Sequence, residues 1–150
     1  MNTNITKTWN VSISEDEVFA RCINETLYKA SSVDAEGVNE EGLVMQDDDR
    51  DQFRMYYTNA VVTLQLILAR RMDEPVENNG YDFTFRLQMH DNHDDNILNV
   101  LITRCYAYVV KRVLEQWYHA DLGSELDKLE IDHCIHYRKK PVRRRVDPLF

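Results

Sequence analysis

The sequence predicts a mostly α-helical protein with a small β element (an α+β fold), in which a bundle of three to four helices lies beside a two-stranded β element. Several long segments carry apolar residues at the three- and four-residue spacing of a helix face, and two segments alternate apolar and polar residues as strands do. The last thirteen residues are basic and interrupted by proline. The expected order is β-α-loop-α-β-α-α, followed by an extended C-terminal arm.

A strand and a helix open the chain. Apart from Lys7, apolar residues occupy alternate positions of residues 5–13, namely Ile5, Trp9, Val11 and Ile13. Ser14 and Glu17 have the spacing of a capping box, and Ile13 with Val18 that of a hydrophobic staple, so a helix should begin here. Its apolar face is then Val18, Cys22 or Ile23, and Leu27.

Residues 31–52 are small, acidic and glycine-containing, and they are predicted to form a long loop. Such a loop is unusual inside a compact domain and is typical of a binding or contact element. It ends in the acidic run DDDRD, from Asp47 to Asp51. These carboxylates suit the positive N-terminal end of the next helix, and a Mg²⁺ or Ca²⁺ site is the alternative.

The second helix has the clearest pattern, with one apolar face formed by Phe53, Tyr56, Tyr57, Ala60, Val61, Leu64, Leu68 and Met72. Pro75 should end it, and Asn79-Gly80 supplies a turn. Residues 81–89 (YDFTFRLQM) then alternate strictly, and their best partner is the first strand. Two strands alone are marginally stable, so helices or another subunit's strands must cover them.

A long third helix is predicted from about His93 to Ala120, with Asp91 or Asn92 as its cap. Its main apolar stripe is Ile97, Leu98, Leu101, Ile102, Cys105, Tyr108, Val109, Val113 and Trp117. Gly123 should stop this helix, and Ser124 should start a shorter one that fails before Pro141. The cysteines are expected to be small buried apolar residues: Cys22, Cys105 and Cys134.

Length and hydropathy restrict the class of protein. The 150 residues fit a single domain, residues 1–137, with residues 138–150 as the arm. The longest apolar run, Ala60 to Ala69, contains Thr63 and Gln65 and falls short of the ~20 residues of a membrane helix. The N-terminus lacks the basic and then apolar layout of a secretory signal, so we expect a soluble protein made inside the cell.

Charge is divided unevenly between the body and the arm. The whole chain has a net charge of −8, yet residues 138–150 carry six of its 18 basic residues and one of its 26 acidic ones. Residues 1–137 therefore retain 12 basic and 25 acidic groups, a net charge of −13. Such a body would repel the phosphate backbone of nucleic acids, so the arm is the exception that needs an explanation.

Two clusters carry candidate metal ligands. The segment HDNHDDN offers His90, Asp91, His93, Asp94 and Asp95. Acidic and amide residues are also preferred where a helix begins, and helix capping is the favoured interpretation. The segment HCIHY places His133 and His136 one turn apart around Cys134, but no second ligand pair accompanies it, so partly buried helix-end residues are favoured.

No pattern of residues predicts catalysis. The glycines Gly37, Gly42, Gly80 and Gly123 are isolated, so neither a phosphate-binding loop nor a dinucleotide-binding fingerprint is present. The sequence likewise shows no signature of a nucleophile with its base and orienting group. The expectation is a protein that is not an enzyme and needs no cofactor.

Three interpretations of the arm compete: a solvated end, a nucleic-acid contact, and a segment that lies across a partner protein. The partner interpretation is favoured because apolar side chains accompany the charges. The arm residues proposed to bind are Arg138, Lys139, Lys140, Arg143, Arg144, Arg145, Leu149 and Phe150, with Val146 as a further apolar residue. The candidate acidic acceptor on a neighbouring copy is Asp47, Asp48, Asp49 and Asp51, or else Glu36, Glu40 and Glu41.

Several segments carry a resemblance to known proteins. The opening NITKTWNVSISEDEVFARC, the second helix, the strand YDFTFRLQM, the long helix ending near EQWYH and the closing YRKKPVRRR resemble small virion proteins of tailed phages and prophages of Bacteroidetes. The architecture is also similar to head–tail connector (neck or adaptor) proteins. The resemblance implies a homo-oligomeric ring below the portal, arms that contact neighbouring rings, and an acidic bore through which DNA slides without sequence-specific binding.

The expected function is thus that of a non-enzymatic structural subunit of a phage virion, made in the bacterial host cytoplasm. It would form a neck or tail ring and dock to portal, neck or tail proteins through terminal arms. No association with a membrane is expected. A small regulatory protein that binds nucleic acid through its basic tail is the alternative. A small metal-dependent enzyme using the cluster from His90 to Asp95 is the third hypothesis.

Overall fold

The computed structural model describes residues 6–34 and 44–137, and the predicted arm lies outside these ranges. The elements, in chain order, are β1 (Thr6–Ile13), α1 (Glu15–Asp34), α2 (Arg50–Leu68), β2 (Glu77–Asn79), β3 (Asp82–His90), α3 (Asn96–Tyr118), α4 (Gly123–Asp127) and α5 (Ile131–His136). Short 3-10 turns at Asp47–Asp49 and Ala69–Arg71 flank α2. The predicted α+β class, mostly helical with a small sheet, is confirmed.

The two predicted strands pair with each other in the sheet, as predicted. β1 and β3 pair antiparallel, with Thr6 opposite His90 and Ile13 opposite Phe83. The inward residues of both strands are buried together in the core, namely Trp9, Val11, Ile13, Phe85, Leu87 and Met89. A third strand, β2, pairs with the other edge of β3 through the predicted turn, where Gly80 has a φ of 64° that favours glycine.

Helices cover the inner face of the sheet. The predicted core face of α2 is buried at Phe53, Tyr57, Ala60, Val61, Leu64 and Leu68. This helix packs against α3, whose buried residues are Leu101, Cys105, Tyr108, Val109, Val110, Val113 and Leu114. All three cysteines are buried free thiols, as predicted. The tertiary fold therefore consists of one core between the sheet and the helices.

The first helix extends further than its sequence predicts. α1 runs to Asp34, so the loop predicted for residues 31–52 is shorter at both ends, and its middle lies outside the described residues. The Glu17 N–H donates to Ser14 Oγ over 3.5 Å, which is the first half of the predicted capping box. The Ser14 N–H donates to the hydroxyl of Tyr106 at 2.9 Å, and the Glu17 carboxylate accepts from Arg21.

The boundaries of the later helices also differ from the prediction. Neither Asp91 nor Asn92 caps α3, which begins at Asn96, whose N–H donates to Asp94 Oδ1 at 3.0 Å. The helix ends at His119, which adopts the left-handed conformation with a φ of 52°, and not at Gly123, which begins α4. The single short helix predicted after Ser124 is split into α4 and α5 by a left-handed Glu130.

One nearly buried carboxylate holds the starts of three elements together. Glu15 Oε1 lies 2.7 Å from Arg50 Nη2 and its Oε2 lies 2.6 Å from Arg54 Nε, while its N–H donates to Asp82 at the start of β3. The guanidinium of Arg50 also lies over the Phe19 ring at 4.5 Å. Burial raises the pKa of Glu15, but the hydrogen bonds from Arg54 and Arg50 outweigh it, and the pKa lies below its ordinary 4.5.

Glu15→Gln should lower the free energy of unfolding at pH 7 by about 1–3 kcal/mol, because the two guanidinium groups lose a nearly buried anionic partner. The folded-state pKa is depressed, so this stabilisation is present above pH 4.5 and is lost as the pH falls below it. Urea unfolding at several pH values checks this, and the variant should approach the wild type in acid. Asp16→Asn is the matched control, since the Asp16 side chain is 88% exposed, and it should change little.

Candidate docking groove

A groove with an apolar floor and an acidic rim lies where α1 meets the chain that leads into α2. Its volume is about 590 Å³. The floor is formed by Ile23, Leu27, Val44 and Met45, and the rim carries Asp47 and Asp48. Leu27 is 53% exposed, which is unusual for a large apolar side chain in the middle of a helix. This feature, defined by these six residues, is called the docking groove below.

Hydrogen bonds at Met45 fix the position of the acidic rim. The side chain of Met45 is fully buried, and its N–H donates to Thr26 Oγ1 at 3.0 Å. The Thr26 hydroxyl donates in turn to the carbonyl of Ile23 at 2.9 Å. The chain therefore returns against α1 at a defined point, and the acidic run follows directly beside the exposed Leu27.

The four aspartates of the predicted acidic acceptor do not form one cluster. Asp47 and Asp48 are exposed at the docking groove. Asp49 Oδ2 accepts the Gln46 N–H at 2.9 Å, so this carboxylate caps the 3-10 turn. Asp51 lies on α2 in a separate depression with Met55 and Tyr81. The predicted location at a helix start is confirmed for the run, and only Asp47 and Asp48 share a groove with apolar side chains.

The predicted partner residues of the arm, from Arg138 to Phe150, lie outside the described residues, as do Glu36, Glu40 and Glu41. The position of α5, the last described helix, is defined relative to the groove. Ile131 and Asp132 of α5 share a depression with Thr63 and Arg70, in the C-terminal half of α2 and the turn that follows it. The docking groove lies at the N-terminal end of α2, a helix about 28 Å long. α5, the last described helix, and the docking groove thus lie towards opposite ends of α2.

Structural contacts occupy the first candidate metal cluster. The Asp95 carboxylate accepts a hydrogen bond from Trp9 Nε1 at 3.0 Å and lies 2.9 Å from Lys7 Nζ. The hydrogen bond from Lys7 has the larger effect and that from Trp9 the smaller, and both lower the pKa of Asp95. His93 is buried, with Nδ1 3.1 Å from the carbonyl of His90. Lys7, the one interruption in the alternation of β1, therefore anchors that strand to the start of α3.

The second candidate cluster is also accounted for by local contacts. His136 Nδ1 lies 2.7 Å from the carbonyl of Asp132, and the buried Cys134 lies 3.5 Å from a guanidinium nitrogen of Arg104. Within residues 6–34 and 44–137, no three His, Cys, Asp or Glu side chains are placed to hold a metal ion together. In the same ranges, no helix has the length and apolar content needed to cross a membrane.

Comparison with known proteins adds no relative. A scan against protein-family models finds no match, and neither does a search of curated proteins or of solved structures. Sequence reasoning assigned Ile23 and Leu27 to the core face of α1 and did not identify the floor of the docking groove; an apolar Met45 inside an acidic segment was the one signal of it.

Zn²⁺ or Mn²⁺ at equimolar concentration should leave the melting temperature of the full chain unchanged, in the wild type and in His90→Ala alike, since no three potential ligands of the described residues are placed to hold an ion together. Asp95→Ala should lower the melting temperature, because Trp9 and Lys7 lose their shared acceptor. Differential scanning fluorimetry checks both. A metal-dependent rise that His90→Ala abolishes would favour the metal-enzyme hypothesis over the capping interpretation.

Proposed function

We propose that this chain is a non-enzymatic structural subunit that assembles by placing its C-terminal arm in the docking groove of a neighbouring copy. The observation that carries the proposal is the match between the groove and the arm. The groove combines exposed carboxylates with apolar floor residues, and the arm combines six basic residues with Val146, Leu149 and Phe150. An acidic rim alone would favour any cation, whereas the exposed Leu27 favours a segment that also brings apolar side chains.

The charged and the apolar side chains contribute differently to the free energy of this contact. Exposed ion pairs contribute about 0–1 kcal/mol each, so Asp47 and Asp48 mainly orient the arm. Burying a Leu or Phe side chain contributes about 1.5–3 kcal/mol, so Leu149 and Phe150 supply most of the affinity. Repetition of the contact around an assembly raises the overall strength further.

The position of α5 determines the geometry of the proposed contact. Because α5 shares a depression with the C-terminal half of α2 and the groove lies at the other end of that helix, an arm that leaves α5 and binds a neighbouring copy would align successive copies head to tail. Head-to-tail contacts use two different surfaces and repeat until they close a ring or extend as a filament. This is the type of interface that a ring subunit requires.

The resemblance to phage virion proteins supplies the biological setting of the proposal. In that setting the chain is a head–tail connector, neck or tail ring protein of the virion, and its further partners are portal, neck or tail proteins. The net charge of −13 on residues 1–137 suits a ring bore through which DNA moves without being held. Genes for portal or tail proteins on either side of this gene are the expected genomic neighbours.

Nucleic-acid binding through the arm remains the second candidate, because the arm holds six cations in thirteen residues. The two functions differ in their response to salt. Binding to DNA should weaken steeply with salt concentration, whereas a contact seated by Leu149 and Phe150 should persist. DNA titrations of the full chain at several salt concentrations separate them, and tight, salt-sensitive binding lost on reversing the charges of Arg143, Arg144 and Arg145 would favour the second.

A photo-crosslinking amino acid at position 150 should react with residues 23–27 or 44–48 of a different copy. Mixing isotopically light and heavy chains and analysing the crosslinked peptides by mass spectrometry shows whether the two peptides come from different copies. Leu27→Asp should remove the crosslink, because it places a charge on the apolar floor. Tyr28→Asp, at a 74% exposed neighbour that does not line the groove, is the matched control and should retain it.

A crosslink confined to one copy, or one that Leu27→Asp does not affect, would overturn the proposal.

A further inference from the structure

A second apolar surface lies on the outer face of α2. Met55, Val62 and Leu66 are 59%, 50% and 72% exposed. With the exposed Asn59 they follow spacings of four, three and four residues and so share one side of the helix. The exposed Asp51 and Arg70 continue this line at its two ends. The outer face of α2 is defined by these six residues.

This surface is separate from the core. The opposite side of α2 is already buried against α3 and the sheet at Phe53, Tyr57, Ala60, Val61, Leu64 and Leu68. A helix whose outer side carries only solvent contacts is normally polar on that side. Three exposed large apolar residues on the outer face therefore indicate a contact with another molecule.

The order of residues along the outer face identifies that molecule. Three pairs lie symmetrically about the midpoint between Ala60 and Val61: Asp51 with Arg70, Met55 with Leu66, and Asn59 with Val62. An identical helix laid antiparallel over this midpoint would therefore place an acid opposite a base at both ends. It would also place Met55 opposite Leu66 on either side of a central pair, Asn59 opposite Val62. A parallel arrangement would instead bring the two Asp51 carboxylates together, and likewise the two Arg70 guanidinium groups.

We propose that the outer face of α2 packs antiparallel against the same face of a second copy of this chain, around a two-fold axis. A self-complementary patch of this kind is what a two-fold contact requires. The apolar residues provide the driving force, and the Asp51–Arg70 pairs select the antiparallel register. This contact goes beyond the arm-mediated assembly proposed above and does not depend on it.

Other charged residues of the same copy lie near both ends of the outer face. Near Asp51, the guanidinium of Arg54 is already bound to Glu15. Near Arg70, the same depression is lined by Arg112 and by five acidic residues: Glu115, Asp121, Asp127, Glu130 and Asp132. Arg70 thus lies in an acidic surrounding that its own copy provides, and an incoming Asp51 would meet the exposed base at its outer edge.

Charge exchange tests the register directly. Measurements use the full chain carrying Leu27→Asp, so that the arm-mediated contact does not contribute, and sedimentation equilibrium gives the dimer dissociation constant. Asp51→Arg alone and Arg70→Asp alone should each raise that constant by at least about tenfold, because like charges then face each other twice. An equimolar mixture of the two variants should restore association, since the mixed pair has opposite charges at both ends.

Leu66→Asp should abolish association in every background, with Tyr28→Asp as the matched control at a similarly exposed helical position. Circular dichroism confirms that each variant is folded. Mixed variants that associate no better than the single ones, a strictly monomeric parent chain, or a Leu66→Asp variant that associates like the parent would each overturn the proposal.

Discussion

The buried carboxylate of Glu15 is the constraint on which the arrangement of the helices depends. Its bonds to Arg50 and Arg54 fix the start of α1 beside the start of α2, and its N–H joins both to β3 through Asp82. The chain from Val44 to Arg54 consequently runs back along α1. That path places the acidic rim of the docking groove beside Leu27, and it leaves the outer face of α2 directed away from the core.

Short-range periodicity made much of the fold predictable. The alternation in β1 and β3 predicted both strands and their pairing, because one buried face restricts the register, and the spacing in α2 predicted its core face. Boundaries were less predictable where tertiary contacts use the expected capping residues. α3 starts at Asn96, after Asp95, whose carboxylate binds Trp9 and Lys7. β2 consists of polar residues without apolar alternation, and its Glu77 pairs with Arg86 of β3 at 2.6 Å.

The candidate site was predictable only in its charged part. The run from Asp47 to Asp51 is visible in the sequence, but its division between a groove, a cap and a separate depression depends on where the chain turns. Leu27 belongs by spacing to an inward face, yet its side chain is 53% exposed in the folded chain. Glu15 has the position of an ordinary dipole partner, and its burial follows from two arginines 35 and 39 residues later.

The symmetric order of charges on α2 has a consequence for how copies are stored and used. A ring that sits between two different structures has a direction, and every subunit in it points the same way. The two chains of a dimer related by a two-fold axis point in opposite directions. Such a dimer therefore cannot be part of a single-layered ring in which all subunits point the same way. If both contacts operate, the dimer is a storage form in which the apolar outer face of α2 is covered. Each dimer must then dissociate before its chains are incorporated into a ring. The rate of ring assembly would then depend on how readily the dimer dissociates.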